Sequence, residues 1–177
     1  YGVWADVIGM LHARGIVPRR SWRELSRLVP ALRDAAAAGG GEGSRYALLE
    51  EILEYLRLAS AQRPIVVVLD DMQWGDGPTW DALEYVAARL EQERLLVVLT
   101  VRVEDLRGDA AERRRRLSRQ ARYEEFTLGR LARDEVGQWL DGAFGGALAG
   151  DALLGDLVAR AEGNPLFTLQ MLRTFLD

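Results

Sequence analysis

Apolar residues recur at helical spacing through the first third of the chain. Val3, Trp4, Val7, Ile8 and Leu11 fall on one side of a helix that Gly15 and Pro18 stop. Ser21, with Glu24 three positions on, predicts a capping box for a second helix whose apolar side is Trp22, Leu25, Val29 and Leu32. The stretch 35–44, AAAAGGGEGS, reads as a flexible loop. Leu48, Leu49, Ile52, Leu53 and Leu56 mark a third helix. After Pro64 the period changes. Ile65 to Leu69 is an unbroken, β-branched run that predicts a strand covered on both faces, and it ends in Asp70-Asp71. Asp76, expected as a cap, and Pro78 then open a helix carrying Trp80, Leu83, Ala87 and Leu90 on one side. Residues 95–101 form a second buried-strand run, ending at Arg102. An arginine-rich helix over about 109–121 leads to a third, weaker strand near 123–128. Helical spacing fills the remainder, through Val136, Trp139, Leu140 and Phe144, then Leu153, Leu154, Leu157 and Val158. A last helix opens at Asn164-Pro165 and runs to Leu176.

Strand, helix, strand, helix, strand in this rhythm predicts an α/β fold with a parallel sheet flanked by helices. Residues 1–128 would form that core and 129–177 a helical segment. Ligands of open parallel sheets sit beyond the carboxyl ends of the strands. Asp70-Asp71 and Thr100 with Arg102 fall at that edge.

Composition narrows the chemistry. The 177 residues contain no cysteine, which removes thiolate metal sites and cysteine nucleophiles, and one histidine, His12, which argues against histidine-ligated metals and Ser-His-Asp hydrolysis. All 23 cations are arginine, so Schiff-base catalysis, a phosphate-loop lysine and the lysine of a receiver domain cannot come from this chain. A net charge of −4 gives no broad attraction to nucleic acid or anionic membrane, and neither is an expected partner. No apolar run reaches the ~20 residues of a membrane span. The start is neither a signal peptide nor an initiator and reads as a cut edge; a cytoplasmic setting is expected.

Four apolar residues followed by paired acids is a Walker B arrangement, in which the first acid holds Mg²⁺ and the second orients the attacking water. Strands also end in aspartate merely to start a loop or cap a helix, so the motif alone leaves both readings open. Its surroundings sharpen it. RPIVVVLDDMQWGD (63–76) resembles the extended Walker B of STAND ATPases, the AAA-related signalling proteins that include LuxR-type transcriptional regulators. LLVVLTVR (95–102) resembles their sensor 1 strand, TLGRLARDEVGQWL (127–140) the entry to their helical lid, and AEGNPLFTLQMLRTFL (161–176) the lid motif. YGVW at the start and the helix before Pro64 fit the same order.

The resemblance implies an ATP-binding and ATP-hydrolysing regulatory switch using ATP/ADP and Mg²⁺. Asp70 would take the metal role, Asp71 the water-positioning role and Arg102 the γ-phosphate contact, with Asn164 and Pro165 near the base. Flanking sensor and effector domains would be partners, with self-association on activation. Trp74 would pack under the loop. The family's G-x-x-x-x-G-K-[ST] is missing from this sequence, which implies weak or no ATP binding by this chain alone. In the family's sheet that loop's strand is central. Without it the remaining strands would pair directly, accept another chain or stand incomplete. The alternative reading is a non-catalytic interaction module that keeps the ATPase fold.

Other features have plain readings. Arg113 to Arg116, with Arg119 and Arg122, spread round a helix and mix with Glu112, Glu124 and Glu125, as a solvated face does; a partner or nucleic-acid contact is the alternative. Trp4, Trp22, Trp80 and Trp139 are expected in the core, His12 on the surface or packed. Gly163-Asn164-Pro165 also suits a simple helix junction, and Arg102 a salt bridge ending its strand.

Overall fold

A computed structural model describes residues 1–16, 20–33, 43–90, 92–144 and 151–176. Most of the expected 35–44 loop lies outside them. The chain divides into two compact units, Tyr1–Glu124 and Glu125–Asp177.

The first unit is α/β. It runs through α1 (Gly2–Ala13), α2 (Leu25–Leu28), α3 (Arg45–Gln62), β1 (Ile65–Leu69), α4 (Gly77–Ala87), β2 (Leu95–Leu99) and α5 (Asp109–Leu117). Ser44 caps α3 by accepting a hydrogen bond from the Ala47 N–H at 3.3 Å. Pro64 disfavours helical geometry at Arg63, and the chain there is extended. The apolar stripe of α3 packs into one core with Trp4, Ile8, Trp22 and Trp80. Trp139, in the second unit, is only partly buried.

The second helix departs from expectation. Ser21 makes no capping box; α2 starts at Leu25, and the Glu51 carboxylate on α3 accepts from the Glu24 and Leu25 N–H groups at 2.9 and 2.8 Å. A carboxylate from a packed neighbour satisfies the orphan donors that a local serine was expected to take.

β1 and β2 pair in parallel, with Ile65 opposite Leu95 through to Leu69 opposite Leu99. Among the described residues these two strands are the whole sheet. The expected strand near 123–128 is absent: the backbone there has no ladder partner, and Phe126 and Leu128 are exposed. Residues 123–128 pair with neither edge of the two-stranded sheet. The expectation of strands covered on both faces is also corrected. Ile65, Val67 and Leu69 are buried, but Val66 and Val68 are 62% and 59% exposed, and Leu96 and Val98 are also exposed. An apolar run of this kind reports that a strand can be covered twice, not that the cover is present.

The arginine run resolves into a structural role. Arg113 and Arg116, three apart on α5, face α4. Arg113 pairs with Asp81 and lies 3.8 Å from Glu84, while Arg116 pairs with Glu84 at 3.0 Å. Arg45 joins the same Asp81 from α3. These pairs fasten α5 and α3 to α4.

The second unit is helical: α6 (Arg133–Phe144), α7 (Asp151–Ala161) and α8 (Pro165–Leu176) around Val136, Leu140, Leu157 and Leu172. Gly163 joins α7 to α8 at φ +69°, and the Leu131 N–H donates to its carbonyl at 2.8 Å. A Cβ at this position would lie 2.2 Å from the Leu131 carbonyl oxygen, so only glycine fits.

Candidate functional site

The parallel pairing fixes where the polar residues gather. Because β1 and β2 run in the same direction and in register, the segments after Leu69 and Leu99 emerge side by side. The Thr100 N–H donates to the Leu69 carbonyl at 3.1 Å and the Met72 N–H to the Thr100 carbonyl at 2.9 Å, carrying the ladder past the strand ends. Between these bonds the chain turns sharply. Asp71 adopts the left-handed conformation, φ 52° and ψ 43°, which aspartate tolerates better than most residues. A one-turn 3₁₀ segment, Met72–Trp74, follows, anchored by the buried Met72 side chain.

Side chains complete the cluster. Thr100 Oγ1 accepts from the Asp71 N–H at 2.8 Å and donates to Asp70 Oδ1. Gln73 Nε2 donates to Asp71 Oδ1 at 2.8 Å, and Gln73 Oε1 accepts from the Arg102 N–H at 3.0 Å. The Arg102 guanidinium Nε stands 4.0 Å from Asp71 Oδ1; both side chains are more than half exposed, so the contact itself adds little stability. Each acid therefore has one oxygen engaged, and among the described residues neither Oδ2 has a hydrogen-bond partner.

Asp70, Asp71 and Arg102 are thus brought together at one sheet end. Asn164 and Pro165 lie in the second unit, at the start of α8. There Asn164 Oδ1 accepts from the Leu166 N–H at 3.0 Å, as an N-cap does, and Pro165 opens the helix. Leu166 and Phe167 beside them are exposed.

Trp74 does not pack under the loop; it is 76% exposed. The buried residues of this turn are Met72 and Gln73, and the indole that follows them is turned to solvent. Asp76 caps α4 as expected, accepting from the Thr79 N–H at 2.6 Å. Burial pushes its carboxyl up, but the Thr79 hydrogen bonds and the amine of Tyr1 outweigh this and hold it below the usual range. Gln73 and the double role of the Thr100 hydroxyl were not assigned from the sequence. The available signal was a polar side chain in the middle of an otherwise apolar turn, Met72-Gln73-Trp74.

Two half-satisfied carboxylates at the open end of a parallel sheet suit a hydrated divalent cation and a water molecule to be oriented. No group of three or more metal-ligating side chains occurs among the described residues. A pair of carboxylates can take part in holding a hydrated Mg²⁺, which commonly has one or two carboxylates plus water and phosphate oxygens around it. It does not by itself grip a triphosphate, and no lysine in the sequence can do so. No described helix is long and apolar enough to cross a membrane.

A family model described as AAA ATPase domain matches residues 4–98. The match begins within α1, ends within β2 and takes in both acids. No curated protein and no solved structure matches the chain.

Proposed function

From the premise that this chain belongs to the AAA ATPase domain family, a family of nucleotide-binding ATPase-like modules, we propose that it is part of the regulatory switch of a STAND-type signalling ATPase, of the kind found in LuxR-type transcriptional regulators. The observation that carries this reading is the cluster of Asp70, Asp71, Thr100 and Arg102 at the carboxyl end of two in-register parallel strands. Asp70, tethered by the Thr100 hydroxyl, offers its free oxygen to a hydrated Mg²⁺. Asp71, fixed by an unusual backbone conformation and by Gln73, presents its free oxygen to water. Arg102 supplies positive charge beside them, where negative charge on a terminal phosphate would lie. Mg·ATP, when bound, supplies the phosphoryl group; positioning and charge stabilisation are what protein residues contribute to such chemistry. Asn164, Pro165 and the exposed Leu166 and Phe167 are assigned to a helical lid that contacts the base.

The sequence has no G-x-x-x-x-G-K-[ST] loop, neither its amides nor its lysine, so on this reading the main phosphate grip is supplied from elsewhere. That same fact favours a second reading, an interaction module that keeps the fold without turnover. The two separate in the full product of the gene. Asp71→Asn removes the charge of the water-directing acid, so Mg-dependent ATP hydrolysis should fall at least ~100-fold while nucleotide stays bound. An unchanged regulatory output in that variant would favour the interaction module.

A further inference from the structure

We propose that Gln73 is a positioning residue that couples the Asp71 carboxylate to the backbone of Arg102, so that acid and cation respond together. The inference rests on the nucleotide-switch reading for its purpose, but the coupling belongs to the nucleotide-free chain.

Gln73 is 8% exposed and both ends of its amide are used, Nε2 toward Asp71 Oδ1 at 2.8 Å and Oε1 toward the Arg102 N–H at 3.0 Å. The orientation is dictated by chemistry. A carboxylate only accepts and a backbone N–H only donates, so a flipped amide would face acceptor with acceptor and donor with donor. The turn bearing Gln73 is itself held. Its Met72 side chain is buried, its Met72 N–H is bonded to the Thr100 carbonyl, and the Asp71 N–H is bonded to the Thr100 hydroxyl. Such a satisfied, largely buried amide has little freedom to move independently of its partners. A displaced Asp71 carboxylate therefore leaves Gln73 Nε2 without its acceptor, loosens the amide and weakens its hold on Arg102. The direct Asp71–Arg102 contact, 4.0 Å between exposed groups, is too weak to transmit the same change.

The test is hydrogen exchange of the Arg102 backbone amide, followed by NMR on the nucleotide-free chain with the Leu56 amide of α3 as a fold reference. Asp71→Gly removes the carboxylate while suiting the positive φ. It should speed Arg102 exchange roughly fivefold, the worth of one hydrogen bond. Asp71→Asn keeps an oxygen for Gln73 and should leave Arg102 protected. Gln73→Leu should give the same roughly fivefold loss, and Asp71→Gly added to it should give none further. Two results would overturn the proposal: an Arg102 amide indifferent to Asp71→Gly, or an Asp71→Gly effect equally large with and without Gln73. Since no nucleotide is present, failure here leaves the ATPase reading standing, and failure to bind Mg·ATP leaves the exchange result standing.

Discussion

Tyr55 gives the first unit a measurable alkaline limit. Its ring is fully buried, 5.1 Å from the Trp22 ring between centroids, and its hydroxyl donates to the Ile16 carbonyl at 2.9 Å. Burial pushes the phenol from its ordinary 10.0 up to about 12. The neutral form is thus favoured in the folded protein. Its contribution is fully present below pH 10 and is lost as pH rises through about 12. Two pKa units correspond to about 2.7 kcal/mol, of which roughly 2.3 is gone by pH 12. That is a large part of the ~5–15 kcal/mol that holds a typical domain folded. Tyr55→Phe abolishes this titration. At pH 8 it should cost about 1–3 kcal/mol, because the Ile16 carbonyl loses its donor. Urea unfolding followed by tryptophan fluorescence from pH 8 to 12 reads both effects. The wild-type advantage should shrink by roughly 2 kcal/mol across that range, leaving about −1 to +1 kcal/mol near pH 12. The other tyrosines are common to both proteins and cancel in the difference. Curves that keep a constant separation over the whole range would mean that the Tyr55 phenol does not titrate differently in the folded and unfolded chains.

Other substitutions probe separate parts of the account. Asp76→Ala removes the cap of α4 and should cost about 1 kcal/mol, seen as a Tm roughly 2–4 °C lower by calorimetry, with Asp76→Asn much milder. Gly163→Ala forces a side chain into the Leu131 carbonyl in a left-handed turn. It should loosen the α7–α8 junction by more than ~1–2 kcal/mol, read as faster exchange of the Leu131 amide. Arg113→Ala strips Asp81 of its largely buried partner and should destabilise the first unit by about 1.5–3 kcal/mol in urea titration.

The periodic features were legible in the sequence because each depends on neighbours in the chain. The stripe of Leu48, Ile52 and Leu56, the runs that become β1 and β2 and the Asp76 cap follow local rules, and the parallel pairing follows from the βαβ rhythm. What escaped depends on partners distant in sequence. Glu51 displaced Ser21 as the cap of α2 because α3 packs against it. Residues 123–128 have strand-like composition but pair with neither β1 nor β2, and pairing is settled by partners far along the chain. Val66, Val68, Leu96 and Val98 are as apolar as their buried neighbours, so nothing in the run says that one face stays open. At the site, the acids and Arg102 could be placed at the same edge from the βαβ rhythm alone. The link through Gln73 could not, since it requires the left-handed turn at Asp71 and the in-register arrival of Thr100 and Arg102.

Whether the acids at the sheet end belong to a nucleotide switch is decided by calorimetric titration with Mg·ATP. It is to be made on this chain and, where its gene supplies a G-x-x-x-x-G-K-[ST] loop upstream, on a version lengthened to include that loop. The longer version should give heat of binding, abolished by EDTA, and this chain little or none, since it has both acids but no phosphate-binding loop. Absence of binding by both would contradict the nucleotide switch and leave an interaction module built on the ATPase fold.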